Sequence, residues 1–407
     1  MPNIDADRVL RDLYHLRTLG AYKTGVHRPA LSPEHIAAMN WLKGELEALG
    51  HQTTIDGIGN VFGIAPVEGR KLLGGSHLES QNYAGWLDGP LGVVYALEAA
   101  RAVKADPALA GCAVDVAAWC DEEGHFGHFL GSQSGIGRLD DASIDAAVDR
   151  TNGTKMRDAL KAAGLEGRPR IALDAKRYVG FFEAHIEQGD WLEANKLKIG
   201  VVTAIIGSRN FQIDFEGTQN HAGTTRMAIR RDAGVACARL VMEIERLFPT
   251  ICGPRTVWTT GRVTLFPGDP SIIPGRAEML FQFRDTDVEV LERLETALRN
   301  LVAQADRDGP CRVTLDQNRK GMPARMDESF QSAIEAAAEA RQAGCHTRMP
   351  SGAGHDAQIL AQVMPAAMMF VPSIGGISHH WSENTSDEDL VLGAQVYADA
   401  AGRMLKG

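Results

Sequence analysis

The chain has 407 residues, more than one hydrophobic core usually holds, so its length predicts two domains. Hydrophobic residues make up 44% and charged residues 23%, and no apolar run is long enough to cross a bilayer, which predicts a soluble protein without a membrane partner. Lysine and arginine number 42 against 52 acidic residues, a net charge of -10 with no basic tract, which argues against nucleic acid as a partner.

The N-terminal segment and the cysteines indicate the cellular compartment in which the protein is expected. The N-terminal segment lacks the basic patch and apolar run of a secretory signal, so a cytoplasmic location is expected. Six cysteines lie far apart with no Cys-x-x-Cys pair, which argues against a disulfide framework and predicts reduced thiols. The acidic composition fits an enzyme acting on small molecules, and fits many other soluble proteins equally well.

Helices and strands alternate in the first part of the chain, which predicts an α/β sheet. Helical spacing of apolar residues runs over Asp5–Leu19 and Ser32–Leu49, and the second helix opens on an N-cap serine followed by an N1 proline. Short apolar runs predict strands, with helical segments between or after them. The strands are expected at Gly59–Ala65, Lys71–Gly75 and Cys112–Cys120, and the helices at Leu91–Lys104 and Ser143–Val148.

From Ser208 to Met322 the order of elements changes to β-α-β-β-α-β. The predicted elements are, in chain order, Asn210–Phe215, Asp232–Leu247, Thr256–Leu265, Ala277–Arg284, Val288–Asp306 and Cys311–Leu315. Such a segment can form its own four-stranded sheet with two helices on one face. We therefore predict an inserted domain at residues 208–322. Residues 1–207 and 323–407 would form the larger domain, completed by the helix Glu328–Ala343, the strand Ala366–Val371 and the helix Leu390–Leu405.

Histidines and acids follow several predicted strands of the larger domain. His77 comes after an apolar strand, and Asp88 lies just before a helix. Ligands of α/β sheets gather at the carboxyl ends of strands, so these two side chains are expected on neighbouring loops. A single histidine in such a place is more often structural than a metal ligand.

Three adjacent carboxylates, those of Asp121, Glu122 and Glu123, directly follow the predicted strand that ends at Cys120. An acidic triplet alone is more often a solvated turn, but a divalent cation relieves the repulsion between crowded acids, and an acid left off the metal can accept a proton from water. His185 and His379 also follow apolar runs assigned to the same sheet. Potential ligands therefore follow four apolar runs of one sheet: His77, the acidic triplet, His185 and His379. Four such positions together favour a metal site over four unrelated structural roles.

The donors predict a centre with two ions that share a carboxylate. One ion would take His77, Asp88 and His185, and the other Asp88, Glu123 and His379. Imidazole and carboxylate without thiolate suit zinc, manganese, cobalt or nickel, and the sequence does not choose among them. The metals would lower the pKa of water, and Glu122 would act as general base and pass the proton to the departing nitrogen of an amide.

The ordered motifs resemble those of a family, the metal-dependent amidases of the hydantoinase/carbamoylase type, within the aminoacylase and carboxypeptidase G-like metallopeptidases. This family includes N-carbamoyl-L-amino acid hydrolase, allantoate amidohydrolase and β-ureidopropionase. The resemblance spans nearly the whole chain. The motifs are Gly75-Ser76-His77, Asp88-Gly89, Asp121-Glu122-Glu123-Gly124, His-Ile-Glu-Gln-Gly at 185–189, Asn-His-Ala-Gly-Thr-Thr at 220–225, Ser-Gly-Ala-Gly-His-Asp-Ala at 351–357 and Gly-Ile-Ser-His at 376–379.

The resemblance implies an α/β, di-metal metallopeptidase-like catalytic domain with an inserted α+β, ferredoxin-like lid that mediates homodimerisation. It implies the same five metal ligands, and the same general base, Glu122, that the residue pattern alone predicts. It further implies that His221 polarises the scissile carbonyl in the partner subunit's active site, and that Arg284 binds the substrate carboxylate. Gln188 becomes a candidate donor to the amide or ureido group. Taken alone, His221 and Arg284 would more often be an ordinary lid histidine and a solvated charge.

Several positions depart from the family pattern. Glu79 stands where an aspartate usually orients the ligand histidine from the second shell, so this carboxylate is one methylene longer. Ser271 replaces an asparagine that commonly contacts the carboxylate side of the substrate. His125 follows Glu123-Gly124 in place of the usual serine, and Trp86 is bulkier than usual. These departures bear on the substrate more than on metal binding.

The preferred function is hydrolysis of a linear amide bond in a small carboxylate-bearing substrate, an N-carbamoyl amino acid or ureido acid. A second hypothesis keeps the metals and changes the substrate, as in an N-acyl amino acid deacylase or another catabolic amidase. A third, from another class, is a catalytically retired protein that binds a small ligand. The presence of Glu122 beside all five ligands argues against the third, since a retired site has no need of a base.

Overall fold

The computed structural model describes residues 1–406, which fold into two compact units. The larger unit comprises Met1–Thr203 and the chain from Arg325 onward, and the smaller unit comprises Ala204–Ala324. Each unit is organised around its own cluster of buried apolar side chains. The insert predicted at residues 208–322 lies within the smaller unit, which begins four residues earlier and ends two residues later.

A nine-stranded mixed sheet forms the centre of the larger unit. Its spatial order is Ala324–Arg325, Ile199–Ile205, Ala366–Val371, Tyr178–Ile186, Lys71–His77, Ala113–Trp119, Val61–Ile64 and Gln52–Ile55, with His346–Ser351 also pairing with Ile199–Ile205. The middle four strands are parallel to one another. All four are mainly apolar in sequence and almost wholly buried, as expected for parallel strands covered on both faces.

Helices pack around this sheet, and the second of them begins at the serine cap that the sequence predicts. Asp5 caps the first helix and Ser32 caps the second, each accepting a backbone N–H with its side chain, and Pro33 opens the second helix. The helices are Ala6–Thr18, Pro33–Leu49, Pro90–Ala105, Leu130–Gly135, Asp141–Ala146, Met156–Ala162, Trp191–Ala194, Glu328–Arg341, Asp356–Leu360 and Asp387–Lys406.

The register of the parallel strands brings their carboxyl ends to one edge of the sheet. His77, the last residue of its strand, lies opposite Trp119, the last residue of the neighbouring strand. His185 lies opposite Phe370 near the ends of the next two strands. Residues that follow these strands therefore meet at the same edge, where ligands of parallel sheets are bound.

The smaller unit is a four-stranded antiparallel sheet with two long helices. The strand order is Val257–Phe266, Arg276–Asp285, Gly207–Glu216 and Arg312–Lys320, and the helices are Ala233–Leu247 and Val288–Asp308. Apolar residues of both helices share one buried cluster with the sheet. The predicted order β-α-β-β-α-β is therefore correct, and the helices extend at most two residues beyond the predicted ends.

Strand boundaries and marginal strands are where the sequence-based predictions are wrong. The strand predicted to end at Gly75 continues to His77, because its ladder with the neighbouring strand continues through these residues. His77 is therefore part of a strand, not of a loop. The prediction also missed Gln52–Ile55, Ile199–Ile205 and His346–Ser351. Within residues 1–406, no helix combines the length and apolar character needed to cross a membrane.

Candidate metal centre

Five potential ligands converge at the carboxyl edge of the larger unit's sheet. His77 and His185 project from the ends of adjacent parallel strands, with their ring centroids 6.0 Å apart. Glu123 follows the strand Ala113–Trp119, and Asp88 stands two residues before the helix Pro90–Ala105. His379 comes from the loop between Ala366–Val371 and the last helix, with a left-handed φ of 55°.

The first group of potential ligands is His77, Asp88 and His185, all buried. Asp88 Oδ1 lies 3.6 Å from His77 Nε2 and 3.0 Å from His185 Nε2. His77 Nδ1 lies 3.1 Å from the backbone oxygen of Glu79, and His185 Nδ1 lies 2.9 Å from that of Ile186. Rings that donate Nδ1–H to a carbonyl turn the Nε2 lone pair toward the centre, as metal-binding histidines commonly do.

The second group is Asp88, Glu123 and His379, and it shares Asp88 with the first. His379 Nε2 lies 3.3 Å from Asp88 Oδ2 and 3.7 Å from Glu123 Oε2. Each oxygen of Asp88 therefore faces a different group. These four distances between ligand atoms fall between 3.0 and 3.7 Å, and all the ligand atoms of each group lie within 4.8 Å of one another. Donors bonded to one cation at about 2.0–2.2 Å lie roughly that far apart, so the donor set fits two divalent ions bridged by one carboxylate.

Burial and mutual attraction set the charges of these side chains. Burial alone would raise the pKa of Asp88, but hydrogen bonds with His185, His379 and His77 outweigh it and hold the pKa well below its usual range. For His77, burial lowers the pKa, and the negative charges of Glu122, Asp88 and Glu79 outweigh it and raise the pKa well above its usual value. The centre thus favours positive charge.

Glu122 lies at the border of the ligand set. Its Oε2 lies 3.6 Å from His77 Nε2, it belongs to neither group of ligands, and its side chain is only 9% exposed. Burial is the main cause that raises the pKa of Glu122 well above its usual range, although His77 opposes the shift. A buried carboxylate with a raised pKa is a stronger base than one in water, so Glu122 is suited to accept a proton.

A tight turn presents Glu122 and Glu123 side by side. Asp121 has a φ of 63°, and its carboxylate accepts the backbone N–H groups of His125, Phe126 and Gly127. Gly124, with a φ of 72°, completes the reversal of the chain. The first acid of the triplet therefore holds the turn, and the two that follow are left for chemistry.

The comparisons with known proteins bear on this geometry. The model of the peptidase family M20/M25/M40 matches residues 68–403, which include both groups of ligands and Glu122. The chain belongs to peptidase family M20/M25/M40.

Amidohydrolases of known name match nearly the whole length of the chain. The chain is 33% identical over 401 residues to an N-carbamoyl-L-amino-acid amidohydrolase of Paenarthrobacter aurescens, covering 96% of each protein. It is also 33% identical over 390 residues to an allantoate amidohydrolase of Escherichia coli, covering 92% of each. A crystal structure of an amidase of the hydantoinase/carbamoylase family from Burkholderia phymatum is 45% identical, with a TM-score of 0.91 over 100% of this chain and 99% of that one.

These relatives confirm three predictions made from the sequence: the recognised family, the α/β fold class with an inserted domain, and the enzyme class of a linear-amide hydrolase. The M20 family is metal-dependent, which agrees with the donor set described above. The identities of individual site residues remain predictions, supported by their geometry.

Two residues missed by the sequence analysis hold the ligands in place. Gln81 donates from its side-chain amide to Glu123 Oε2, 2.6 Å away, and from its backbone N–H to Glu123 Oε1, 3.2 Å away. Glu383 Oε1 accepts the backbone N–H of Asp88 at 3.1 Å, and its Oε2 accepts the hydroxyl of Ser378 at 3.2 Å. Each lies four residues after a ligand histidine, His77 or His379, and that spacing is the only signal that the sequence carries.

A second layer of buried side chains supports His185. The ring of His355, from the motif at residues 351–357, packs edge-on against His185 with centroids 4.6 Å apart, and its Nε2 lies 2.8 Å from Ser351 Oγ. Glu183 is fully buried and accepts the hydroxyl of Ser76 and the backbone N–H of Ala357. The Ser-Gly-Ala-Gly-His-Asp-Ala motif thus packs behind the ligands.

Gln188 and Glu79 contact different groups from those expected. Gln188 donates from its side-chain amide to Asp88 Oδ2, 2.9 Å away, so the expected donor to substrate is hydrogen-bonded to a potential ligand here. Glu79 Oε1 lies 4.0 Å from His77 Nδ1, beyond hydrogen-bonding distance, and its backbone oxygen takes that place instead. The carboxylate of Glu79 accepts the backbone N–H of Glu122 at 2.6 Å.

The remaining predicted residues, His221, Ser271 and Arg284, lie in the smaller unit. His221 is exposed, and its Nδ1 accepts the backbone N–H groups of Gly223 and Thr224, which leaves Nε2 to carry the ring proton. Ser271 is exposed, and its backbone oxygen accepts the backbone N–H of Ala222. Arg284 donates from Nε to Gln282 Oε1, and partial burial lowers its pKa.

Proposed function

We propose that this M20-family protein is a metal-dependent amidohydrolase whose substrate is an N-carbamoyl amino acid or a related ureido acid. The observation that carries the proposal is the shared position of Asp88 between two groups of ligands, with Glu122 beside them but outside both. The names of the full-length relatives, an N-carbamoyl-L-amino-acid amidohydrolase and an allantoate amidohydrolase, support the choice of substrate class.

The proposed ligands are His77, Asp88 and His185 for one divalent ion and Asp88, Glu123 and His379 for the other. Nitrogen and oxygen donors without thiolate suit zinc, manganese, cobalt and nickel alike. When bound, two such ions supply Lewis acidity toward the scissile carbonyl and lower the pKa of water. The raised pKa of His77 and the lowered pKa of Asp88, which show that the centre favours positive charge, support this assignment.

Glu122 is the proposed general base. It accepts a proton from the attacking water and delivers it to the departing nitrogen, so the C–N bond breaks without a covalent enzyme intermediate. With an N-carbamoyl amino acid, one water is consumed, the free amino acid leaves, and the carbamate formed decomposes to ammonia and carbon dioxide. Burial of Glu122 among carboxylates, and the raised pKa that results, support this role.

Residues of the smaller unit are proposed to recognise the substrate. The guanidinium of Arg284 matches a carboxylate with two parallel N–H donors. His221 presents Nε2–H, the tautomer needed to donate to a carbonyl oxygen that gains negative charge. Gln188 is proposed to donate to the ureido group once metal engages Asp88, and Ser271 to flank the carboxylate end.

The smaller unit is also proposed to act as a lid and to mediate homodimerisation. Its strand Val257–Phe266 lies at an edge of the four-stranded sheet and exposes Val257, Val263 and Leu265. An exposed edge strand with apolar side chains is a common site of association between chains. In such a dimer, His221 would act on substrate bound by the partner subunit.

A substrate panel tests the proposed function. The protein is stripped with a chelator, reloaded separately with manganese, zinc or cobalt, and assayed on N-carbamoyl, N-acetyl and dipeptide forms of the same amino acids. Ammonia release from N-carbamoyl substrates, absent with N-acetyl ones, is the expected result. Hydrolysis of the N-acetyl series alone would identify a deacylase, and inactivity with every metal and substrate would support the binding-protein hypothesis.

A further inference from the structure

We propose that Glu79 positions the general base Glu122 through its backbone, and does not orient the ligand histidine His77. This inference rests on the proposed function, because it assigns a partner to the base of that reaction. The two candidate partners of the Glu79 carboxylate differ clearly in distance. Its Oε1 lies 2.6 Å from the backbone nitrogen of Glu122 and 4.0 Å from His77 Nδ1.

His77 has no need of this carboxylate. Its Nδ1 lies 3.1 Å from the backbone oxygen of Glu79, which is a sufficient acceptor for the ring N–H. A backbone oxygen two residues beyond His77 is fixed by the chain itself, so it orients the ring whatever side chain residue 79 carries. The side chain of Glu79 is thereby available for another contact, and the extra methylene lets it extend to the turn that carries Glu122.

The other oxygen of Glu79 faces a neutral histidine. His35 Nε2 lies 3.5 Å from Glu79 Oε2, and both side chains are fully buried. His35 Nδ1 accepts the backbone N–H of Leu31 at 3.0 Å, which places the ring proton on Nε2, toward Glu79. Burial lowers the pKa of His35 to about 4, so the ring is uncharged near neutrality. His35 therefore turns its ring N–H toward Glu79 Oε2 at 3.5 Å, without forming a hydrogen bond to it.

A buried arginine provides the compensating charge. Arg28 has no exposed surface, and its guanidinium donates to the backbone oxygens of Leu78, Leu16 and Leu19. Burial lowers its pKa to about 10, against the opposing influence of Glu79, so it stays charged near neutrality. Arg28 fixes the chain at Leu78, next to Glu79, and a buried negative charge requires such a counterpart nearby.

The turn at Glu122 is thus held from two sides. Asp121 accepts the N–H groups of His125, Phe126 and Gly127, which fixes the chain after the base. Glu79 accepts the N–H of Glu122 itself. Displacement of a base by a fraction of an ångström lowers the rate of proton transfer, so loss of this bond is expected to lower kcat more than the affinity for metal.

Shortening the side chain separates the two roles. In Glu79→Asp the carboxylate retracts from the Glu122 N–H, whereas Glu79→Gln keeps an acceptor oxygen at the same length. With zinc-loaded protein, we expect the backbone amide of Glu122 to exchange hydrogen at least tenfold faster in Glu79→Asp. We also expect kcat at least tenfold lower, zinc affinity within threefold of the wild type, and recovery of slow exchange in Glu79→Gln. Glu183→Asp, an equal shortening of another buried acid, should leave exchange at Glu122 unchanged.

The opposite pattern overturns the proposal: weakened zinc binding in Glu79→Asp with wild-type exchange at Glu122 and wild-type kcat at saturating zinc. Should Glu79→Asp fail to fold, unprotected exchange at Glu122 in the wild type would be equally decisive against it. Exchange and zinc titration need no substrate. If the wild type hydrolyses nothing in the substrate panel, the proposed function fails while these two measurements still decide the contact of Glu79.

Discussion

Asp88 is the residue on which both groups of ligands depend. Each of its oxygens faces a different group, and its backbone N–H is held by Glu383. A carboxylate that bridges two ions cannot be replaced by an amide without weakening both sites, because the amide carries no charge and one of its ends is a donor. Glu123, by contrast, belongs to one group only.

The stoichiometry of bound metal should follow this difference. We expect Asp88→Asn to lose most of both metal equivalents, and Glu123→Gln to lose about one of the two and retain the site at His77 and His185. Elemental analysis after gel filtration in metal-free buffer measures the content per chain. Equal metal content in the two variants would show that Asp88 is not shared between two ions.

Glu122 should be separable from metal binding. We expect Glu122→Gln to keep the metal content of the wild type and to lower kcat by roughly a hundredfold or more, since the amide cannot accept the proton of water. The substitution preserves the size of the side chain, so a change in melting temperature should be small. Steady-state rates together with elemental analysis check both parts, and turnover at the wild-type rate would remove Glu122 from the mechanism.

The sequence predicted the potential ligands and the proposed base, but not all of their hydrogen-bond partners. Four of the five potential ligands and Glu122 could be found because they lie at or beyond the ends of predicted strands, which meet at one edge of the sheet. Asp88 could be found because it stands in the loop that leads from His77 into a helix. Gln81 and Glu383 were missed because a hydrogen bond to a distant loop leaves no periodic pattern in the sequence. Glu79 was noticed as a departure from the family, but only coordinates could show that its longer side chain contacts Glu122.

The turn before the helix Pro90–Ala105 is tightly constrained by a ligand histidine. Gly89 has a φ of 87°, and a Cβ placed there would lie 2.4 Å from His77 Cε1 and Nδ1. Only glycine allows this backbone to approach the imidazole so closely. The same turn carries Asp88, so it sets the distance between two potential ligands.

Gly89→Ala and Gly111→Ala form a matched pair that isolates this contact. Gly111 has a similar φ of 83° but open space around its Cβ position. Both variants should lose at least about 1–2 kcal/mol, because an L side chain is strained at a positive φ. Only Gly89→Ala should also lose metal, because His77 and Asp88 must separate. Melting temperature and metal content measure the two effects, and equal metal content in both variants would contradict the proposed role of the contact.

The elements best predicted from sequence are those with strong periodicity or caps. The helix Pro33–Leu49 was predicted within one residue from its serine cap and proline. The missed strands Gln52–Ile55 and His346–Ser351 pair with only one strand each of the central path, where polar side chains meet solvent and the apolar signal is weak. The strand Lys71–His77 was cut short because its two glycines resemble a turn, although the ladder runs through them.

The residues of the proposed reaction are divided between the two units of the molecule. The proposed ligands and base belong to the larger unit, whereas His221 and Arg284 belong to the smaller one. The order β-α-β-β-α-β predicted the smaller unit because such a segment closes its own core. The sequence pattern alone could not reveal whether His221 serves its own chain or another, because both arrangements leave the same residues in the same order.

Complementation between inactive chains distinguishes the two arrangements. Glu122→Gln lacks the base and His221→Ala lacks the proposed donor, so each homodimer should be inactive. In a mixed dimer, if His221 acts across the dimer, one site combines an intact Glu122 with the partner's intact His221. Full exchange makes half of the dimers mixed, each with one working site, so activity should recover to about a quarter of the wild type.

Mixing Glu122→Gln with Asp88→Asn provides the control, because both changes affect the larger unit and no mixed dimer contains a complete site. Subunit exchange is verified by native mass spectrometry of chains that carry different tags. If His221 acted within its own chain, neither site of a mixed dimer would be complete, and the His221→Ala mixture would be as inactive as the control. Recovery in that mixture alone therefore requires two chains for each working site, and makes dimerisation a condition of catalysis.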